Sequence, residues 1–147
     1  MSLIELLGNR IVFIDGAMGT MLHARGAGFE QCFDALNLTR PGLVAEIHRD
    51  YIQAGAEIII TNTFGANRYK LAEHGLDGKV SEINRAGVEL ARKVISASFK
   101  EVLLAGDVGP LGVRLAPFGR VQPEQARQAF AEQIQALAGA GAGLLVL

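Results

Sequence analysis

The chain has 147 residues, half of them apolar and a fifth charged, with a formal net charge of −1. That is one globular domain or part of a larger one. The near balance of charge leaves no electrostatic footprint for nucleic acid or an anionic membrane, and no apolar run approaches the roughly 20 residues of a membrane span. The single cysteine, Cys32, excludes an internal disulfide. Together with an N-terminus too short and too acidic for a signal peptide, it points to the cytoplasm.

In chain order, Ile11-Val12-Phe13-Ile14 predicts a parallel strand covered on both faces. Asp15 then falls at its carboxyl end, where α/β folds hold ligands. Gly16 and Gly19 predict a tight turn with backbone N–H groups open to an anion. A carboxylate beside such amides suits a zwitterion, an amino acid before a nucleotide. An Asp15 that merely caps its own turn is the equal alternative. Residues 18–25 predict a short helix broken by Gly26-Ala27-Gly28, and residues 29–38 a loop. Thr39 as N-cap and Pro41 in the first turn open a helix to residue 54, with Leu43, Val44, Ile47, Tyr51 and Ile52 on one face.

Gly55 ends that helix, and residues 57–62 predict the second strand. Helices are predicted over residues 66–74 and 80–99, and a third strand over residues 101–108, ended by Gly109-Pro110-Leu111-Gly112. Pro123 opens a helix to residue 138, and residues 143–147 predict a fourth strand. Ala54-Gly55-Ala56 and Ala140-Gly141-Ala142 both carry a helix directly into an apolar strand. Repeated units of this kind give the α/β class with a parallel sheet. About four βα units match half of a (β/α)8 barrel, which takes about 250 residues. The expectation is the N-terminal half of a TIM barrel, cut short after Leu147 or completed by a partner, with sheet edges open to self-association. A complete open sheet of four strands is the alternative.

Other polar residues carry weaker signals. His23, His48 and His74 sit in different elements without metal-ligand spacing. Asp34 and Asp50 are expected as solvated charges, and Asp107 as either a structural hydrogen-bonding group or a substrate contact. Arg114 and Arg120 flank Pro117-Phe118-Gly119 in a solvated loop. Met18 and Met21 are expected to pack beneath the first loop, and Cys32 to be a bystander thiol.

Several of these segments together resemble one family. Asp15-Gly16-Ala17-Met18-Gly19-Thr20 resembles the first strand–loop of homocysteine S-methyltransferases. Asn37-Leu38-Thr39-Arg40-Pro41 is similar to the lead-in to the following helix, and Glu57-Ile58-Ile59-Ile60-Thr61-Asn62-Thr63-Phe64 to the second strand and loop. Ala105-Gly106-Asp107-Val108-Gly109-Pro110-Leu111-Gly112 is similar to the third strand end. The likeness spans nearly the whole chain and is nearest to the homocysteine-binding module of cobalamin-dependent methionine synthase or of bacterial fusions to methylenetetrahydrofolate reductase.

This resemblance implies a (β/α)8 barrel in which zinc holds homocysteine as its thiolate, which attacks an activated methyl group to give methionine. The donor would be methylcobalamin, betaine or S-methylmethionine, supplied as a small molecule or by another module. Cobalamin or folate would come with further modules. Asp15 matches the acid on the substrate's amino group, and Gly16, Ala17, Met18, Gly19 and Thr20 the loop around its carboxylate. Asn62 and Thr63 match the second loop of the pocket. Gly109 and Pro110 fall at the third.

The zinc ligands that the resemblance implies are three cysteines late in the barrel, and residues 1–147 contain none of those positions. The expectation is therefore the N-terminal part of a homocysteine-binding domain, without a metal site and inactive alone. The contrasting reading is a non-catalytic α/β module that takes a small anion or phosphate on the glycine turn. Against it, no Gly-x-Gly-x-x-Gly and no Lys-Ser/Thr pair is present, and the acid before the turn repels phosphate.

Overall fold

The structure is a computed structural model that describes residues 3–147. Helix α1 (Leu3–Leu7) precedes an extended segment at residues 11–14, which leads into α2 (Gly19–Ala24). Helices α3 (Leu36–Thr39) and α4 (Pro41–Ala54) then deliver the chain to β1 (Ile58–Ile60). The crossover to β2 (Leu103–Asp107) uses α5 (Arg68–Ala72), a 3-10 turn and α6 (Val80–Ser98), and α7 (Pro123–Gly139) connects β2 to β3 (Leu144–Val146). The three strands are parallel in the order β1-β2-β3, with Ile58 opposite Leu103 and Ala105 opposite Leu144. This is the α/β class with sequential βα units.

The helices follow from their sequence. In α6 the buried positions Ile83, Gly87, Val88, Ala91 and Val94 form one face, and the helix packs against both α4 and α7. Ala45, Ile52, Ile59, Ala91 and Val94 make a single apolar cluster between α4, β1 and α6. The two Ala-Gly-Ala sequences have one physical basis. Gly55 and Gly141 both adopt left-handed backbone, at φ 108° and 99°. Each lets the next N–H reach back into the helix, Ala56 to Tyr51 O at 2.9 Å and Ala142 to Leu137 O at 3.0 Å. Gln122 and Gln125 form a reciprocal capping box ahead of α7.

Four expectations need correction. The first strand is reduced to one bridge, Ile14 to Ile58, so three strands form in place of four. Ile11, Phe13 and Ile14 are 79%, 64% and 48% exposed, not covered on both faces. Their segment meets β1 on one edge and pairs with nothing on the other among the described residues, and an apolar run without cover on its faces stays exposed. Within residues 29–38, the last part is helical as α3. Thr39 belongs to that helix and turns its hydroxyl back to Ala35 O at 3.3 Å, so Arg40 takes the N-cap position of α4. Asp50 is an exposed charge as expected, and it pairs with Arg25. Met18 and Met21 do pack on the cluster of Leu22, Val44 and Ile47. No described helix is long and apolar enough to cross a membrane.

Candidate functional site

A cavity of about 610 Å³ opens at the carboxyl ends of the strands. Residues 16–20 form one wall and residues 60–65 another, with Cys32, Asp34, Lys70, His74 and Asp107 completing it. The rings of Phe29 and Phe64, both largely exposed, lie at its surface. Of the residues the sequence singles out, Gly16, Ala17, Met18, Gly19, Thr20, Asn62 and Thr63 come together here.

Asp15 sits just behind this wall and is 9% exposed. Its N–H donates to Ile58 O at 2.9 Å, and its Oδ2 accepts the Ile60 N–H at 3.0 Å. Oδ1 has no partner among the described residues. Burial pushes this carboxyl up to about 7 against the bond from Ile60, and the nearby Asp107 charge adds to the rise. The first turn is therefore held to β1 through the acid's own atoms. Neither Gly16 nor Gly19 has a positive φ. Gly16 instead allows a close approach, since a Cβ there would lie 3.1 Å from the Tyr51 hydroxyl, which donates to Ala17 O at 2.7 Å. Among the described residues, the N–H groups of Gly16, Ala17 and Met18 donate to no protein acceptor. They remain free for a ligand.

The second loop is locked from behind. The Thr63 hydroxyl donates to Asp107 O at 2.8 Å. The Thr61 hydroxyl lies 2.6 Å from it and accepts the Asp107 N–H at 3.0 Å. With the Thr63 proton used on Asp107, Thr61 must be the donor between the two hydroxyls. Asn62 Nδ2 donates to Phe33 O at 2.8 Å and Asn37 Oδ1 at 3.1 Å. Asn67 caps α5 by accepting from Tyr69 and Lys70 N–H. The Thr63 hydroxyl and the Asn62 amide hydrogens are thus committed to the scaffold, although both residues line the cavity.

Gly109 does not reach the cavity wall. Its N–H donates to Phe64 O at 3.1 Å, and a Cβ at this position would stand 2.4 Å from that oxygen. It is a close-packing glycine. Asp34, expected as a solvated charge, lines the cavity and accepts the Gly65 N–H at 2.9 Å. Burial raises its carboxyl, with Gly65 and the Lys70 and His74 charges opposing. Asp107 is pushed up to about 6 by burial first and by Asp34 second. The cavity therefore presents acid-rich ground for a cation beside open amides for an anion.

The residues present do not fit a three-cysteine metal site. Cys32 packs against the cluster of Ala66, Leu71, Val80 and Ile83, and burial raises its thiol, which disfavours the thiolate a metal would need. His23 Nδ1 is 3.0 Å from Ala27 O, His48 is fully buried, and His74 is exposed. No three His, Cys, Asp or Glu side chains among the described residues are arranged to hold a metal ion.

Residues 12–147 match the sequence family described as homocysteine S-methyltransferase. The chain is 31% identical to methionine synthase of Mycobacterium tuberculosis, over 99% of its own length and 13% of that protein. It is 38% identical to homocysteine S-methyltransferase of Escherichia coli, over 92% of its length and 48% of the relative's. The crystal structure of the E. coli homocysteine methyltransferase MmuM in its metallated form superimposes with a TM-score of 0.82 at 33% identity, covering 96% of this chain and 55% of that one. The chain thus spans about half the length of these E. coli relatives and a smaller part of methionine synthase. With a family match over nearly its full length and the same βα arrangement, the chain belongs to the homocysteine S-methyltransferase family.

Proposed function

We propose that this chain forms the amino-acid-binding side of a homocysteine pocket in an enzyme that methylates homocysteine to methionine. One observation carries the reading. A buried carboxyl with an unpartnered oxygen and three backbone N–H groups without acceptors lie in a single turn at the cavity, in a member of this family. Asp15 takes the substrate's ammonium, with Asp107 and Asp34 adding to the negative field. The amides of Gly16, Ala17 and Met18 take its carboxylate, and the turn continues through Gly19 and Thr20. Asn62 and Thr63 shape the opposite wall through their backbone. In the overall reaction the homocysteine sulfur gains a methyl group and loses its proton.

The zinc expected of the complete domain finds no ligand set among these residues, and this chain's part is to bind and orient. The methyl donor is a small molecule or is carried by a further module, with cobalamin or folate arriving in the latter case. A phosphate-binding role fares worse, because Asp15 leads into the turn that would receive the phosphate and Asp34 and Asp107 line the same cavity.

Calorimetric titration decides between these readings. Homocysteine should bind and inorganic phosphate should not compete. Binding of phosphate with no uptake of homocysteine would overturn the proposal.

A further inference from the structure

The buried face of α7 is Ala126, Ala129, Gln133 and Leu137, an apolar stripe interrupted by one primary amide. Gln133 is 0% exposed. Its Nε2 donates to Thr63 O at 2.8 Å and lies 3.2 Å from Asn84 Oδ1 and 3.4 Å from Asp107 O. All three neighbours are oxygens, so the amide nitrogen must face them. The reverse orientation would set Oε1 against two carbonyls and an amide oxygen. Asn84 continues the chain of bonds, donating to Ala66 O at 2.8 Å and Val80 O at 2.7 Å.

Thr63 and Asp107 come from the ends of different strands and form adjoining parts of the cavity wall. Gln133 is the side chain outside the wall that reaches the backbone of both. We propose that Gln133 is a positioning residue that sets the shape of the binding cavity by holding the Thr63 and Asp107 carbonyls to a common donor. The role rests on the cavity being the homocysteine pocket. It assigns to a helix residue behind the cavity wall the placing of the Asp107 carboxylate and the 61–65 loop. The orientation that this requires leaves Oε1 without a partner among the described residues, a buried cost that the arrangement carries.

The test separates binding from folding. Gln133→Leu removes the donor at similar volume, and Gln135→Leu makes the same change on the exposed side of α7. Homocysteine titration and thermal unfolding are measured on both variants and on the unaltered protein. Gln133→Leu should weaken homocysteine binding about tenfold or more among folded molecules, the equilibrium counterpart of one lost hydrogen bond. Gln135→Leu should bind like the unaltered protein. A Gln133→Leu protein that melts earlier yet keeps its affinity would reduce Gln133 to a core residue and overturn the proposal.

If Gln133→Leu does not fold, the side-chain amide of Gln133 is followed by NMR in the unaltered protein. Saturation with homocysteine should shift it together with the backbone amides of Thr63 and Asp107. A Gln133 signal that stays fixed while those amides move overturns the role. Absence of homocysteine binding by the unaltered protein overturns instead the substrate reading beneath it.

Discussion

Residues 11–14 and β1 lie side by side, joined by a single bridge, and both are short apolar runs that end at a wall of the cavity. Ile59 of β1 is fully buried, whereas Ile11 and Phe13 are mostly exposed. The difference lies in their neighbours. β1 has a partner on each edge and rests under α4 and α6. Residues 11–14 have β1 alone. Side-chain propensity is the same in both, so burial is a property of the assembly and not of the run. The first loop nevertheless holds its place, because Asp15 binds β1 through its N–H and its Oδ2. β1 itself is held by packing, with its loop fixed by the Thr61, Thr63 and Asn62 side chains; the exposed first segment relies on a polar side chain.

The largest expected effect breaks the packed side. Ile59→Ala leaves a cavity at the centre of the α4–β1–α6 cluster and should cost about 3–4 kcal/mol in denaturant unfolding. Ile11→Ala should cost under about 0.5 kcal/mol. Comparable losses at the two positions would contradict the packing described.

The cover over β1 also contains a titratable weak point. His48 of α4 is fully buried, neither ring nitrogen has a partner among the described residues, and burial alone lowers it to about 4. The unfolded chain takes up that proton near 6.5, the native state only near 4. Its contribution is therefore whole above about pH 6.5 and is lost as pH falls towards 4, up to about 3 kcal/mol. Asp15 and Asp107 act in the opposite direction, so the comparison must be with His48→Leu, which should remain more stable than the unaltered protein at pH 4.5. Parallel stability curves for the two would sink this assignment.

Asp15 sharpens the contrast from the polar side. Its carboxyl is raised to about 7, so the folded state prefers it protonated and its charge costs stability progressively from about pH 4 to pH 7. Asp15→Asn keeps an oxygen for the Ile60 N–H and removes that cost. It should stabilise the protein by about 2 kcal/mol at pH 8 and by less at pH 5. It should also weaken homocysteine binding by about 1.5–3 kcal/mol, the worth of a charged hydrogen bond. By the same logic, homocysteine affinity of the unaltered protein should rise from pH 6 to pH 8 as Asp15 ionises. An affinity flat across that range, together with unchanged binding by Asp15→Asn, would make Asp15 a cap of its own turn.

Much of this organisation is legible in the chain itself. The faces of α4, α6 and α7 have helical spacing, and the Ala-Gly-Ala repeats mark two left-handed glycines. The turn at Asp15 is a local pattern of an acid and small residues. What is not legible joins distant segments. Asp34 meets Gly65 across 31 residues and Gln133 meets Thr63 across 70, and no local pattern names either partner. The same holds for Gly109, whose need for space comes from Phe64, on another strand's loop.

The smallest effect is expected at Phe13. Its carbonyl accepts the N–H groups of Glu57 at 2.7 Å and Ile58 at 3.2 Å, and its own N–H donates to Glu57 Oε2 at 3.1 Å. All of these bonds are made by the backbone of residue 13, and none requires the ring, which is 64% exposed. Phe13→Ser should therefore change unfolding free energy by no more than about 0.5 kcal/mol and leave the amide-exchange protection of Ile58 intact. Loss of that protection would mean that the ring, and not the backbone ladder, keeps the first segment in register with β1. The first loop would then depend on packing after all, and Asp15 would no longer be its principal anchor.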